Sequence, residues 1–171
     1  SALTYSWFME ARTLHAPLDA LSAANRPQGI EIATLTTFDI PALAVLTLEA
    51  YDDAVTPEAL LETSEELRLT FEGAFGATTE DSFVGAWDGG TLVGAILVVR
   101  ESPWDDAPNG PFVVDLIVAP DYRRRGIATA LVSEVATRCT NWGFDTLALR
   151  LDSRHGGARE LYSMLGFEEI A

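Results

Sequence analysis

Apolar and polar residues change period several times along the chain. From Ile30 to Thr36 they alternate, as in a half-buried strand. Leu43, Leu46 and Ala50 then recur at helical spacing, and a helix is predicted from Asp39 to about Tyr51, with Asp39 as its cap and Pro41 in its first turn. Thr56-Pro57-Glu58 opens a second helix reaching about Glu72. Gly73 to Ser82 reads as a loop. Phe83 to Trp87 and Thr91 to Arg100 flank Asp88-Gly89-Gly90, the clearest hairpin in the chain. A polar loop from Glu101 to Gly110 precedes Phe112 to Val118, a nearly continuous apolar run expected of a strand buried on both faces. Arg124 to Asn141 reads as a helix, with Ile127, Leu131, Val132, Val135 and Cys139 on its core face. Asp145 to Leu151 is a strand, Gly156 to Leu165 a helix stopped by Gly166, and Phe167 to Ile170 the start of a last strand.

The strand from 112, the helix from 124 and the strand from 145 form a βαβ unit, so those two strands are parallel. The earlier strands are hairpin-linked, which makes the sheet mixed. No repeat or linker divides the chain. Residues 1–29 fit the pattern least. Ser1 to Leu14 is of mixed polarity, Pro17 to Asn25 suggests a short helix, and Arg26-Pro27-Gln28-Gly29 is a turn signal. The expectation is an N-terminal extension, residues 1–29, packed on one domain over residues 30–171.

Charge changes the picture more than composition does. The net charge is −15, and all 11 basic residues are arginines. An acidic surface of this kind argues against nucleic acid and anionic membranes as partners. The longest apolar runs, such as Leu92 to Val99, are too short to cross a bilayer. With no signal-peptide pattern, a cytoplasmic protein is expected. One cysteine, Cys139, excludes an internal disulfide, and two histidines, His15 and His155, make a metal site unexpected.

Against this acidic background stands Arg123-Arg124-Arg125-Gly126, at the predicted start of a helix. Cations at a helix N-terminus should each cost about 0.3–1 kcal/mol, because the macrodipole is already positive there. A bound polyanion reverses that sign. Free N–H groups at a helix start form an anion site, and Gly126 leaves them approachable. The segment reads as a phosphate or pyrophosphate cradle.

Leu116-Ile117-Val118-Ala119-Pro120 followed by Arg123-Arg124-Arg125-Gly126-Ile127-Ala128 resembles the acyl-CoA segment of the GNAT N-acetyltransferase superfamily, whose pattern is Q/R-x-x-G-x-G/A after a strand. A second motif, Ala158 to Phe167, looks like that family's A-x-x-L-Y-x-x-x-G-F helix, and the spacing of the two suits the family. The resemblance covers roughly residues 30–170. It implies an α/β fold with a mixed, mostly antiparallel sheet, a central splayed parallel pair and flanking helices. It implies an enzyme that moves acetyl from the cosubstrate acetyl-CoA to an amine by direct attack, without a metal. The pyrophosphate would lie on the backbone of Arg124 to Thr129 (Arg124, Arg125, Gly126, Ile127, Ala128 and Thr129), with contacts from the arginines including Arg123, and the pantetheine arm would pair with Ile117 and Val118. Under this reading, Arg123→Ala and Arg124→Ala weaken CoA binding with stability held or slightly raised.

Tyr162 matches the position where many relatives hold a general acid. A phenol, with a pKa of about 10 against about 8.5 for a thiol, is protonated at neutral pH and can donate as the thiolate develops. His155 stands where many relatives carry Asn, and it either contacts the cofactor arm or is a plain loop histidine. Some relatives place a base where this chain has Arg150, which cannot serve. Asp115, a carboxylate in a mostly apolar strand, is the best alternative base, with Asp152, Glu101 and the pair Asp52 and Asp53 behind it. Its competing reading is an ion-paired or hydrogen-bonded strand aspartate, and a water chain would need no dedicated base. By resemblance, Tyr51 to Glu66 selects the acceptor, a small-molecule amine or a peptide, and homodimers are common on this fold. Family domains continue past the Gly-Phe strand into a final strand, and the segment around Thr4 to Leu14 is expected to fill that place in its own chain or a partner's. The alternative function is a regulatory module that binds acyl-CoA without turnover. A P-loop enzyme is disfavoured because G-x-x-x-x-G-K-[ST] does not occur.

Overall fold

Eight of the nine residues of strand β4 (Thr91–Val99) are buried, because helices cover it on both faces. The structure is a computed structural model and describes residues 12–21, 25–102, 105, 107–151 and 158–170. Around β4 lie β1 (Arg12–Pro17), β2 (Glu31–Thr34), β3 (Phe83–Asp88), β5 (Phe112–Val118), β6 (Thr146–Leu151) and β7 (Glu168–Glu169). They form one seven-stranded sheet in the order β2-β3-β4-β5-β6-β1-β7. All neighbouring pairs are antiparallel except β5 with β6. The helices are α1 (Ile40–Ala50), α2 (Pro57–Phe71), α3 (Ile127–Asn141) and α4 (Ala158–Leu165). The mixed, mostly antiparallel sheet with one parallel pair and flanking helices is the fold class expected from the sequence.

Strand alternation divides the core in two. Ala95 and Leu97 of β4 pack with Leu43 and Leu46 of α1. Ile96 and Val98, pointing the other way, pack with Ile127, Leu131 and Val135 of α3. Gly94 lets α3 come close, since a Cβ there would lie 2.9 Å from Ile127 Cγ2.

Local signals were mostly where the sequence placed them. Thr56 Oγ1 accepts from the Ala59 N–H at 3.1 Å and caps α2. α1 starts as expected, with Asp39 at its N-cap position and Pro41 in its first turn, but the Asp39 side chain makes no cap hydrogen bond to it. Thr36, not Asp39, supplies the capping hydroxyl, to a 3-10 turn over Thr37–Asp39, while Asp39 accepts from the Thr36 N–H at 2.8 Å. Together they make a capping box one turn earlier than predicted. The helix predicted from Arg124 begins at Ile127, with Gly126 as its N-cap at φ +81°. Arg123–Arg125 therefore precede the helix, and no acidic or basic side chain needs to be offset within its first turn.

Part of the N-terminal segment is built into the sheet. β1 lies between β6 and β7, paired with β6 from Arg12↔Leu151 to Pro17↔Thr146. Leu14 and Ala16 point into the core, as do Leu18 and Leu21 just beyond. Residues 12–17 of the same chain thus occupy a strand position next to β6; of the segment expected to do so, around Thr4 to Leu14, residues 4–11 lie outside the described residues. Of the short helix predicted over Pro17 to Asn25, the described residues form a 3-10 turn at Leu18–Ala20, and residues 22–24 lie outside the described residues.

The parallel pair is short. β5 and β6 pair only through Phe112↔Ala148 and Val113↔Leu149. At the same point the register of β5 against β4 jumps from Leu97↔Asp115 to Val98↔Val113, leaving Val114 as an extra residue. Beyond it β5 stays with β4 while β6 stays with β1. Among the described residues, no helix is long and apolar enough to cross a membrane.

Candidate active site

A cavity of about 500 Å³ opens where β5 and β6 part. Leu116, Ile117 and Val118 of β5 form one wall, and Leu161 and Tyr162 of α4 another. Ala50 and Tyr51 close it from the end of α1, and the start of α3 contributes Gly126, Ile127, Ala128 and Thr129. The first N–H groups of a helix have no acceptor within it, so this wall carries backbone donors beside an apolar slot. That combination suits a ligand with a phosphate end and an extended amide arm.

The three arginines ahead of α3 do different things. Arg124, in the left-handed region at φ +62°, lines the cavity. Arg123 also lines it, but its guanidinium donates to the Ala50 carbonyl at 2.6 Å and the Val118 carbonyl at 3.3 Å. It ties the C-terminal end of α1, the negative end of that helix, to the end of β5. Arg125 lies over the Tyr122 ring, 4.9 Å from its centroid, and the Tyr122 hydroxyl donates to Asp88. That bond and the buried fraction of the ring hold the Tyr122 hydroxyl above the usual phenol range.

Tyr162 sits deep in the cavity wall, only 4% exposed, its ring edge-on to Phe167 at 5.5 Å. Burial, and then the negative charge of Asp115, push its hydroxyl above the ordinary phenol range, so it is protonated throughout the neutral range. Asp115 faces the α1 side of the sheet. Its Oδ1 accepts the hydroxyl of Tyr51 at 2.5 Å, a bond between residues 64 apart in sequence. Tyr51 is the functional candidate that sequence reasoning had only as the edge of an acceptor-selecting segment. It ends α1, where a phenol gives no pattern signal of its own.

The other candidates are dispersed. Arg150 pairs with Thr13 across β6 and β1. Asp52 and Asp53 line a neighbouring recess of about 450 Å³, together with Glu49 and Asp121. Glu65, one acid of the expected acceptor segment, is tied to Arg68, whose guanidinium also reaches Glu72 beyond that segment. His155 and Asp152 lie outside the described residues. Among the described residues no cluster of His, Cys, Asp or Glu is arranged to hold a metal ion.

A mixed sheet parted at its one parallel pair, with a glycine-capped helix start at the parting, defines the acyl-CoA-dependent acyltransferase class of fold. The profile of the acetyltransferase (GNAT) family matches residues 46–167, well over half of the 171, and the chain belongs to that family. No curated protein matches the sequence. Among solved structures, a GCN5-related N-acetyltransferase from Sphaerobacter thermophilus is 23% identical with a TM-score of 0.66, covering 94% of this chain and 48% of its own. The chain thus spans about half the length of that protein. The ribosomal-protein-S18-alanine N-acetyltransferase of Escherichia coli is 20% identical with a TM-score of 0.61, over 83% of this chain and 79% of its own. AAC(6')-Iy, in complex with the bisubstrate analogue CoA-S-monomethyl-acetylneamine, is 20% identical with a TM-score of 0.61, over 83% of this chain and 92% of its own. At these identities the likeness is one of fold. The family's chemistry is acyl transfer from acetyl-CoA.

Proposed function

We propose that this chain acetylates a primary amine, of a small molecule or a peptide, by direct attack on acetyl-CoA. The observation that carries the reading is the content of the cavity at the β5–β6 parting. A backbone anion site, a strand edge and a buried phenol share one space, with a carboxylate one hydrogen bond away.

In this reading the pyrophosphate lies on the N–H groups of Ile127, Ala128 and Thr129, with Arg124 beside it. Gly126 brings the backbone close, and the pantetheine amides pair with Ile117 and Val118 past the point where β6 has left. The amine nitrogen attacks the thioester carbon, a C–N bond forms, and the C–S electron pair leaves on sulfur. One proton passes from nitrogen toward Asp115. Tyr162 donates to the departing thiolate, and the two groups reset through water. The acidic recess beside Tyr122 favours a cationic acceptor approaching from that side.

The test is thiol release from acetyl-CoA across a panel of primary amines, amino acids, aminoglycosides and peptides, with CoA affinity measured separately by calorimetry. Turnover with at least one amine is expected. CoA binding with no amine acetylated refutes the reading and leaves a binding module.

A further inference from the structure

Asp115 does not line the cavity, whereas Tyr51 does. The Tyr51 hydroxyl links the cavity to that carboxylate, 2.5 Å from Asp115 Oδ1. We propose that Tyr51 is the catalytic proton relay of the reaction, taking the proton from the attacking nitrogen at its oxygen while passing its own proton to Asp115. This rests on the amine-acetylation reading above.

The step balances. The N–H bond of the nucleophile breaks as a bond to Tyr51 Oη forms. The amine's own lone pair makes the C–N bond, and as the nitrogen sheds its now acidic proton the Tyr51 O–H bond breaks and Asp115 becomes a carboxylic acid. Tyr51 ends neutral, as it began, and only Asp115 has changed protonation state. A phenol is a poor base alone, and the hydrogen bond to a carboxylate is what makes its oxygen able to accept a proton.

Three features hold the relay in register. Tyr51 ends α1, and the preceding residue, Ala50, is clamped by Arg123 through its carbonyl. Asp115 follows the extra residue Val114 on β5, which fixes the face its side chain takes. Tyr162 feels the Asp115 charge, so the carboxylate serving the nucleophile also helps keep the leaving-group donor protonated. The proton-accepting and proton-donating phenols thus lie on two walls of one cavity, with Asp115 acting on both.

The experiment compares wild type with Tyr51→Phe, Asp115→Asn and the double variant, using acetyl-CoA and the amine panel. Tyr51→Phe keeps the ring that fills the wall. It is expected to lower kcat about 100-fold, at the low end of general acid–base effects, with CoA affinity within about twofold. The double variant is expected to lose no more than the worse single one, since the two residues act as a unit. A second readout needs no acceptor: with tyrosines labelled at Cζ with carbon-13, Asp115→Asn should move the Tyr51 resonance, identified by its loss in Tyr51→Phe. An unmoved resonance, wild-type turnover in Tyr51→Phe, or losses that multiply in the double variant each overturn the relay. If wild type binds CoA and acetylates nothing, the amine-acetylation reading fails and the relay falls with it. An active wild type beside an equally active Tyr51→Phe refutes the relay alone.

Discussion

Arg123→Ala tests whether the arginine cluster is only a ligand site. On the sequence alone its loss should leave stability unchanged or raise it, because a cation at a helix start repels the macrodipole. The structure reverses the sign. Arg123 precedes α3 by a loop and instead donates to two carbonyls, one of them Ala50 at the C-terminal end of α1, where a cation is favoured. Hydrogen bonds from a charged donor contribute about 1.5–3 kcal/mol when shielded. Arg123 is exposed and the Val118 contact is long at 3.3 Å, so water replaces much of this on deletion. About 1 kcal/mol remains, a fall in Tm of about 2–4 °C for a domain of this size. Arg123→Lys, which offers a point charge in place of the guanidinium fork, should fall between the two. Calorimetric melting of the ligand-free proteins decides it, read against Arg125→Ala, whose loss removes only a ring contact of about 0.5–1 kcal/mol. An Arg123→Ala protein that melts at or above wild type would refute the clamp and restore the repulsion argument.

Other outcomes follow from the same geometry. Tyr162→Phe should lose turnover by about 100-fold or more with CoA affinity nearly kept, since the ring still fills its place and only the donor is gone; unchanged turnover removes Tyr162 from the mechanism. Cys139 is fully buried, and burial, with Asp81 adding to it, pushes its thiol up to about 12. It should resist a disulfide reagent at pH 8 until the protein unfolds. The raised value also gives a sign: its contribution is complete below the ordinary thiol range and is lost as pH climbs toward about 12, so the stability gap between wild type and Cys139→Ala should narrow from pH 8 to pH 11 in urea titrations. A gap that widens contradicts this. Removing residues 1–17 deletes β1 and should abolish cooperative melting, which circular dichroism would register; a truncated protein with a wild-type transition shows that β6 needs no partner there.

Much of the fold was legible because its signals are local. The hairpin at Asp88-Gly89-Gly90, the Thr56-Pro57 helix start and the apolar run of β5 each declare themselves within a few residues. The helix start beside the cavity was legible for the same reason: a glycine and small residues follow a strand in one continuous stretch. What escaped was whatever depends on two distant segments meeting. Tyr51 means nothing until α1 places it 2.5 Å from Asp115. Arg123 looks like an anion ligand until Ala50 comes within its reach. β1 shows only two buried positions in six, too short a pattern to read beside Pro17. Asp115 was noticed as a costly carboxylate in an apolar strand, and its hydrogen-bonded partner is what offsets that cost.

The opening of the sheet and the N-terminal strand are one arrangement. A strand that leaves its neighbour exposes N–H and C=O groups along the edge it vacates. On β5 the residues at that edge, Ile117 and Val118, border the cavity, and the Val118 carbonyl is met by Arg123. β6 has the opposite need. Joined to β5 at only two residue pairs, it would carry Arg150 and Leu151 into the parting with little to hold it. β1 pairs with it along six positions, Arg12 through Pro17, and Leu14 and Ala16 anchor that ladder in the core. The gap can therefore stay open without β6 swinging back onto β5. The segment that looked like an appendage in the sequence is, on this argument, what keeps the space between Val118 and Tyr162 available for chemistry.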